Sequence, residues 1–110
     1  HMPEDLKFED LKGEAKEFII RGKSVRIPPL EVRDLDLFLK VSDPDKGVDA
    51  LKEIFLRTMK RIFPERSEEE ILSLPANVLL EFIVYILKAN GLEVKEEVFR
   101  KVLEGFQSES

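Results

Sequence analysis

The side chains of this chain that could do chemistry are carboxylates, lysines and arginines, because it has no cysteine and one histidine, His1. His1-Met2 reads as a vector scar left by tag removal, which takes that imidazole out of consideration. Thiolate and serine–histidine nucleophiles, disulfides and nearly all zinc chemistry then fall away. Acid–base pairs of carboxylates and oxygen-ligated cations remain. The acidic residues, however, stand in solvated runs such as Glu68-Glu69-Glu70 and Glu96-Glu97. They are not isolated among apolar neighbours, where burial would tune a pKa. The segment opening at Asp43-Pro44-Asp45 has the look of a calcium loop, but its fifth, sixth and twelfth positions hold Gly47, Val48 and Ile54. An EF-hand needs Asp or Asn, Gly and Glu there, so a capped helix start is the better reading. No catalytic residue, cofactor or metal is expected.

Basic residues offer a second chemistry, the binding of anions. Arg21, Lys23 and Arg26 give a basic tip to a predicted hairpin, and Arg21 and Lys23 are candidate contacts for an acidic partner. The plainer reading is turn chemistry with edge-strand cations that discourage aggregation. Arg57, Lys60 and Arg61 likewise read as a solvated helix face, balanced by Glu53 and Glu65. Net charge is −5, with 37% charged residues, which argues against nucleic acid as a partner. The longest apolar run, residues 78–87, contains Glu81 and is too short to cross a bilayer. The acidic N-terminal region has no apolar signal segment, so a cytoplasmic protein is expected. A Lys-, Glu- and Ile-rich composition without cysteine is the bias of thermophile proteins.

These side chains are placed by few elements. Residues 3–15 form a polar N-terminal arm carrying Leu6, Phe8 and Leu11. Two β-branched runs, residues 17–20 and 24–27, flank Arg21-Gly22-Lys23 and predict a hairpin with Val25 and Ile27 on one face. Pro28-Pro29 ends it. A helix over 30–41 follows, with Leu35, Phe38 and Leu39 as its apolar stripe. Asp43 and Pro44 then open a helix over 44–63 striped by Val48, Leu51, Phe55, Thr58, Met59 and Ile62. Gly47 is expected to loosen its first turn. Ser67-Glu68-Glu69-Glu70 is a capping box for a short helix to Leu74. Pro75 starts a helix to about Asn90, closed by Gly91, and a last helix spans 94–106 ahead of the polar tail 107–110. The expected fold is mainly α: one domain over 16–106, a small N-terminal β-hairpin followed by a four-to-five-helix bundle.

The helix over 75–90 is apolar nearly all round, which fits the centre of a bundle or a helix with one face for a partner. Leu80, Val84, Tyr85 and Leu87 are its candidate protein-contact residues. Leu37, off the stripe of its own helix, is another, and a homo-oligomer is expected. A small helical regulatory or DNA-binding module is the alternative, with a helix-turn-helix drawn across 67–90. Its second helix would offer Val and Leu where base readers need Arg, Asn or Gln.

Ile27-Pro28-Pro29-Leu30 with Arg33-Asp34, then Phe63-Pro64, Ser67-Glu68-Glu69-Glu70-Ile71, Leu74 and an apolar helix follow in that order. In this the chain resembles the tail assembly chaperones of long-tailed bacteriophages and prophages, over roughly residues 17–90. The resemblance implies a non-enzymatic role in virion assembly, in the cytoplasm of a bacterial host. Such chaperones coat the tape measure protein, keep it soluble and help recruit tail tube subunits. It carries over no catalytic residue, and the matching positions Ile27 to Leu30, Arg33 and Asp34 are expected to fix the hairpin-to-helix junction.

Overall fold

The computed structural model describes residues 2–92. The helix expected over 94–106 and the polar tail lie outside the described residues. Strand β1 (Lys16–Ile20) pairs antiparallel with β2 (Lys23–Ile27), with Phe18 opposite Val25 and Ile20 opposite Lys23. Arg21 and Gly22 both take positive φ, 55° and 74°, the type I′ geometry that matches the twist of the strands. Phe18, Ile20, Val25 and Ile27 line the inward face, while Ile19 on the other face stays exposed. A two-stranded sheet cannot stand alone in water, and here β2 lies against two of the helices.

The arm contains a 3₁₀ turn, Phe8–Leu11, with no buried residue. After the prolines a second 3₁₀ turn, Val32–Asp34, leads into α1 (Leu35–Lys40). Next come α2 (Gly47–Ile62), α3 (Glu68–Leu72) and α4 (Ala76–Ala89). The fold is mainly α with an N-terminal antiparallel hairpin and, among the described residues, four helices. No helix among them is long and apolar enough to cross a membrane.

The centre is α2, not α4. It touches α1, α3, α4 and β2, and it buries Leu51, Ile54, Phe55, Leu56 and Met59. Ile54, fully buried, lies outside the stripe drawn from the sequence, whereas Val48 from that stripe is exposed. Covered on several sides, α2 has an inward face wider than a single stripe. On α4 the fully inward residues are Val78, Ile83, Ile86 and Ala89.

The expected face of α1 is corrected. Leu37 is buried, and Leu35 and Leu39 of the predicted stripe are 56% and 71% exposed. The inward row is Asp34, Leu37, Phe38 and Val41, an i, i+3, i+4, i+7 series whose first member is a carboxylate. A search for apolar residues alone cannot see that row. Leu37 is therefore a core residue and not a contact surface.

The start of α2 also shifts. The Asp43 carboxylate accepts the Asp45 and Lys46 amides at 2.8 and 3.2 Å, making residues 44–46 a turn before the helix. Gly47 is the buried first helical residue. A Cβ there would lie 2.5 Å from the Val41 carbonyl oxygen, so glycine lets α2 start against the end of α1. The far end of α4 is a Schellman motif, as its sequence suggested. The Leu92 amide donates to the Leu87 carbonyl, the Gly91 amide donates to that of Lys88, and Gly91 has φ 73°.

Two substitutions test this packing. Gly47→Ala should lower stability by about 1–3 kcal/mol despite alanine's better helix propensity, because the new methyl meets backbone rather than a flexible side chain. Among the described residues, Thr58 Oγ1 is the buried side-chain polar atom without a hydrogen-bond partner. Thr58→Val should raise stability by about 1 kcal/mol, since it removes an unpaired hydroxyl. Urea unfolding followed by circular dichroism measures both.

Candidate functional site

The basic tip of the hairpin is engaged inside the chain. Arg21 grips Glu81 of α4 with two nitrogens, Nε at 3.0 Å and Nη2 at 2.7 Å from Oε2. The Glu81 carboxylate raises the Arg21 pKa through this hydrogen bond and its charge. That grip gives a non-glycine residue a reason to hold a positive φ. Lys23 is exposed at the end of β2. Of the other candidate contacts, Tyr85 packs against Phe18 with ring centroids 5.3 Å apart, and Lys88 lies over its ring. Val84 and Leu87 are half-buried against the core, and Leu80 is half-buried.

An ion pair between a buried carboxylate and a half-exposed guanidinium secures the junction between hairpin and helices. Asp34 is 4% exposed, accepts the Glu31 amide at 3.0 Å, and is bonded by the Arg57 guanidinium of α2. Arg57 also donates to Glu53 at 2.9 Å. Burial pushes the Asp34 carboxyl up, but the Glu31 amide, Arg57 and the nearby Arg33 outweigh it and hold the pKa below its ordinary value. The diproline segment is pinned from two sides. The Leu30 amide donates to Asn90 Oδ1 at 2.8 Å, and Arg61 donates to the Pro29 carbonyl at 2.6 Å. Ile27, beside it, is fully buried.

A largely apolar surface lies beside the α3–α4 elbow. Ser67 and Glu70 cap α3 reciprocally, Ser67 Oγ taking the Glu70 amide at 3.1 Å and Glu70 taking the Ser67 amide at 3.2 Å. That amide, with Arg66, lowers the Glu70 pKa. With α3 so fixed, Ile71 points into the core and Leu72 and Leu74 remain 54% and 40% exposed. On one side of the elbow a cleft of about 530 Å³ is lined by Met59, Phe63, Ile71, Leu74, Val78 and Phe82 and by the charged residues Arg21, Glu65, Arg66 and Glu70. On the other side a cleft of about 290 Å³ shares Ile71 and Leu74 and adds Phe55, Pro75 and Leu79. Phe63, at the mouth of the larger cleft, is 41% exposed.

Sequence reasoning missed this groove, because its lining comes from the end of α2, from α3 and from the first half of α4. The signal available was Leu72, Leu74 and Phe63, apolar residues at helix ends that no single stripe absorbs. Among the described residues no cluster of three or more His, Cys, Asp or Glu could hold a metal ion.

Because the folded pKa of Asp34 is lowered, its contribution to stability is complete above the unfolded carboxylate value. It is lost as pH falls through the folded one. Asp34→Asn should therefore cost about 1–3 kcal/mol at neutral pH, with the gap to the wild type closing as pH falls below the ordinary carboxylate range. Denaturant unfolding at a series of pH values reads this out. Comparison with known protein families, curated proteins and solved structures finds no match for this chain.

Proposed function

We propose that this chain is a non-enzymatic tail assembly chaperone that binds the tape measure protein and helps recruit tail tube subunits to it, within the host cytoplasm. In this reading the helices form a bundle organised on α2, and the chain self-associates. The observation that carries the proposal is the apolar groove at the α3–α4 elbow, with half-exposed Phe63 and Leu74 and charged residues in its lining. A groove of this kind suits the apolar face of a helix presented as i, i+3, i+4 and i+7 anchors. The tape measure protein is long and apolar in the family the sequence resembles, so it is the client the resemblance supplies. The charged residues of the lining keep the empty groove soluble and give an incoming helix polar contacts.

The test is binding of labelled tape measure helices by fluorescence anisotropy, alongside co-expression with a tape measure segment that is insoluble alone. Soluble complex and saturable binding are expected. Phe63→Glu and Leu74→Glu, at half-exposed positions, should each weaken binding about ten-fold or more with little change in thermal midpoint. Binding that is unchanged in both variants, or a segment that stays insoluble, would sink the proposal.

A further inference from the structure

A second apolar surface lies on α1 and owes nothing to the chaperone reading. Val32, Leu35 and Leu39 form an i, i+3, i+7 row along the outer side of the 3₁₀ turn and α1, exposed by 91%, 56% and 71%. Asp34 on the opposite side is buried and bonded to the half-exposed Arg57, so rolling this row inward would break that pair and carry the carboxylate out of its place. The row continues onto the N-terminal arm. Phe8 and Leu11, 74% and 64% exposed, line one cleft together with Val32. Contiguous exposed apolar surface of this kind marks an interaction site.

The charges beside the row select its partner. Asp36 and Lys40 stand one turn apart next to Leu35 and Leu39, and they reach each other at 3.5 Å. A surface with an acid at one end and a base at the other is complementary to itself when turned through a two-fold axis. Laid antiparallel on its own copy, the row brings Leu35 against Leu39 of the second molecule. The same turn brings Asp36 to the other Lys40 and Lys40 to the other Asp36.

We infer that the outer face of α1, extended by the arm, is a homodimer interface in which two copies pack antiparallel across a two-fold axis. A standard stable interface buries about 800 Å² per partner, and a row of a few apolar side chains with the arm falls at or below that, so the dimer is a weak one.

Sedimentation equilibrium of the full chain over a range of concentrations tests the inference. The wild type should dimerise reversibly, and Leu39→Glu should abolish dimerisation at an unchanged thermal midpoint. Asp36→Lys alone, and Lys40→Asp alone, each place like charges opposite one another twice and should weaken the homodimer about ten-fold. Mixing these two variants pairs opposite charges again and should restore association to the wild-type level as a heterodimer. A misfolded variant could not produce that rescue. A wild type that stays monomeric at millimolar concentration overturns the interface. Single swaps without effect, or a mixture that fails to recover, overturn the antiparallel register.

Discussion

The carboxylate of Asp34 occupies a position that α1 would ordinarily give to a leucine. Placing a charge there costs desolvation free energy, which only a close cation and a backbone amide can offset. Arg57 from the middle of α2 and the Glu31 amide provide both. Together they hold Asp34 on the inward side of the turn, and with it the rotation of α1 about its own axis. With that rotation fixed, Leu37, Phe38 and Val41 face inward, and Val32, Leu35 and Leu39 face out. The end of α1 then lies so close to α2 that only glycine fits at position 47.

This dependence explains what was and was not legible in the sequence. The hairpin could be read because its alternation and its Gly22 turn are local, and the ends of α3 and α4 because a capping box and a glycine after the last turn act within a few residues. The orientation of α1 could not, since its decisive residue is polar and its partner lies 23 positions away. Leu37 was misplaced for the same reason. Gly47 reads as a weak spot in a helix until the Val41 carbonyl is seen beside it. The groove was hidden because no single element carries more than a few of its residues. Local signals fix elements, and long-range contacts decide which of their faces remain free.

The basic residues illustrate the converse. Arg33 pairs with Glu31, Arg57 with Asp34 and Glu53, and Arg61 with the Pro29 carbonyl. Lys60 donates to the carbonyls of Pro64 and Arg66. These cations, of which Arg57, Lys60 and Arg61 read from the sequence as a solvated helix face, line a shared cleft with Glu31 and Asp34. Each of them gives a donor to the diproline segment, the start of α1 or the turn after α2, where proline-rich backbone has carbonyls but few amides to offer. An arginine-rich helix end here is a structural clamp.

Among the described residues the groove at the elbow and the row on α1 are separate apolar surfaces, and no residue lines both. The groove at the elbow is built from α2, α3 and α4, while the row on α1 is held outward by the Asp34–Arg57 pair on the helix's other side. Under the proposed function, in which the chain covers a long client, this separation has a physical consequence. Were one surface to serve both partners, each self-contact would remove a client site, and coverage would fall as the protein concentrated. With separate surfaces, pairing of two copies raises the local concentration of grooves without occupying them, so weak binding at each groove becomes strong binding along a repeated apolar client. A weak dimer would suit that proposed use, because copies held by weak contacts can redistribute along the client.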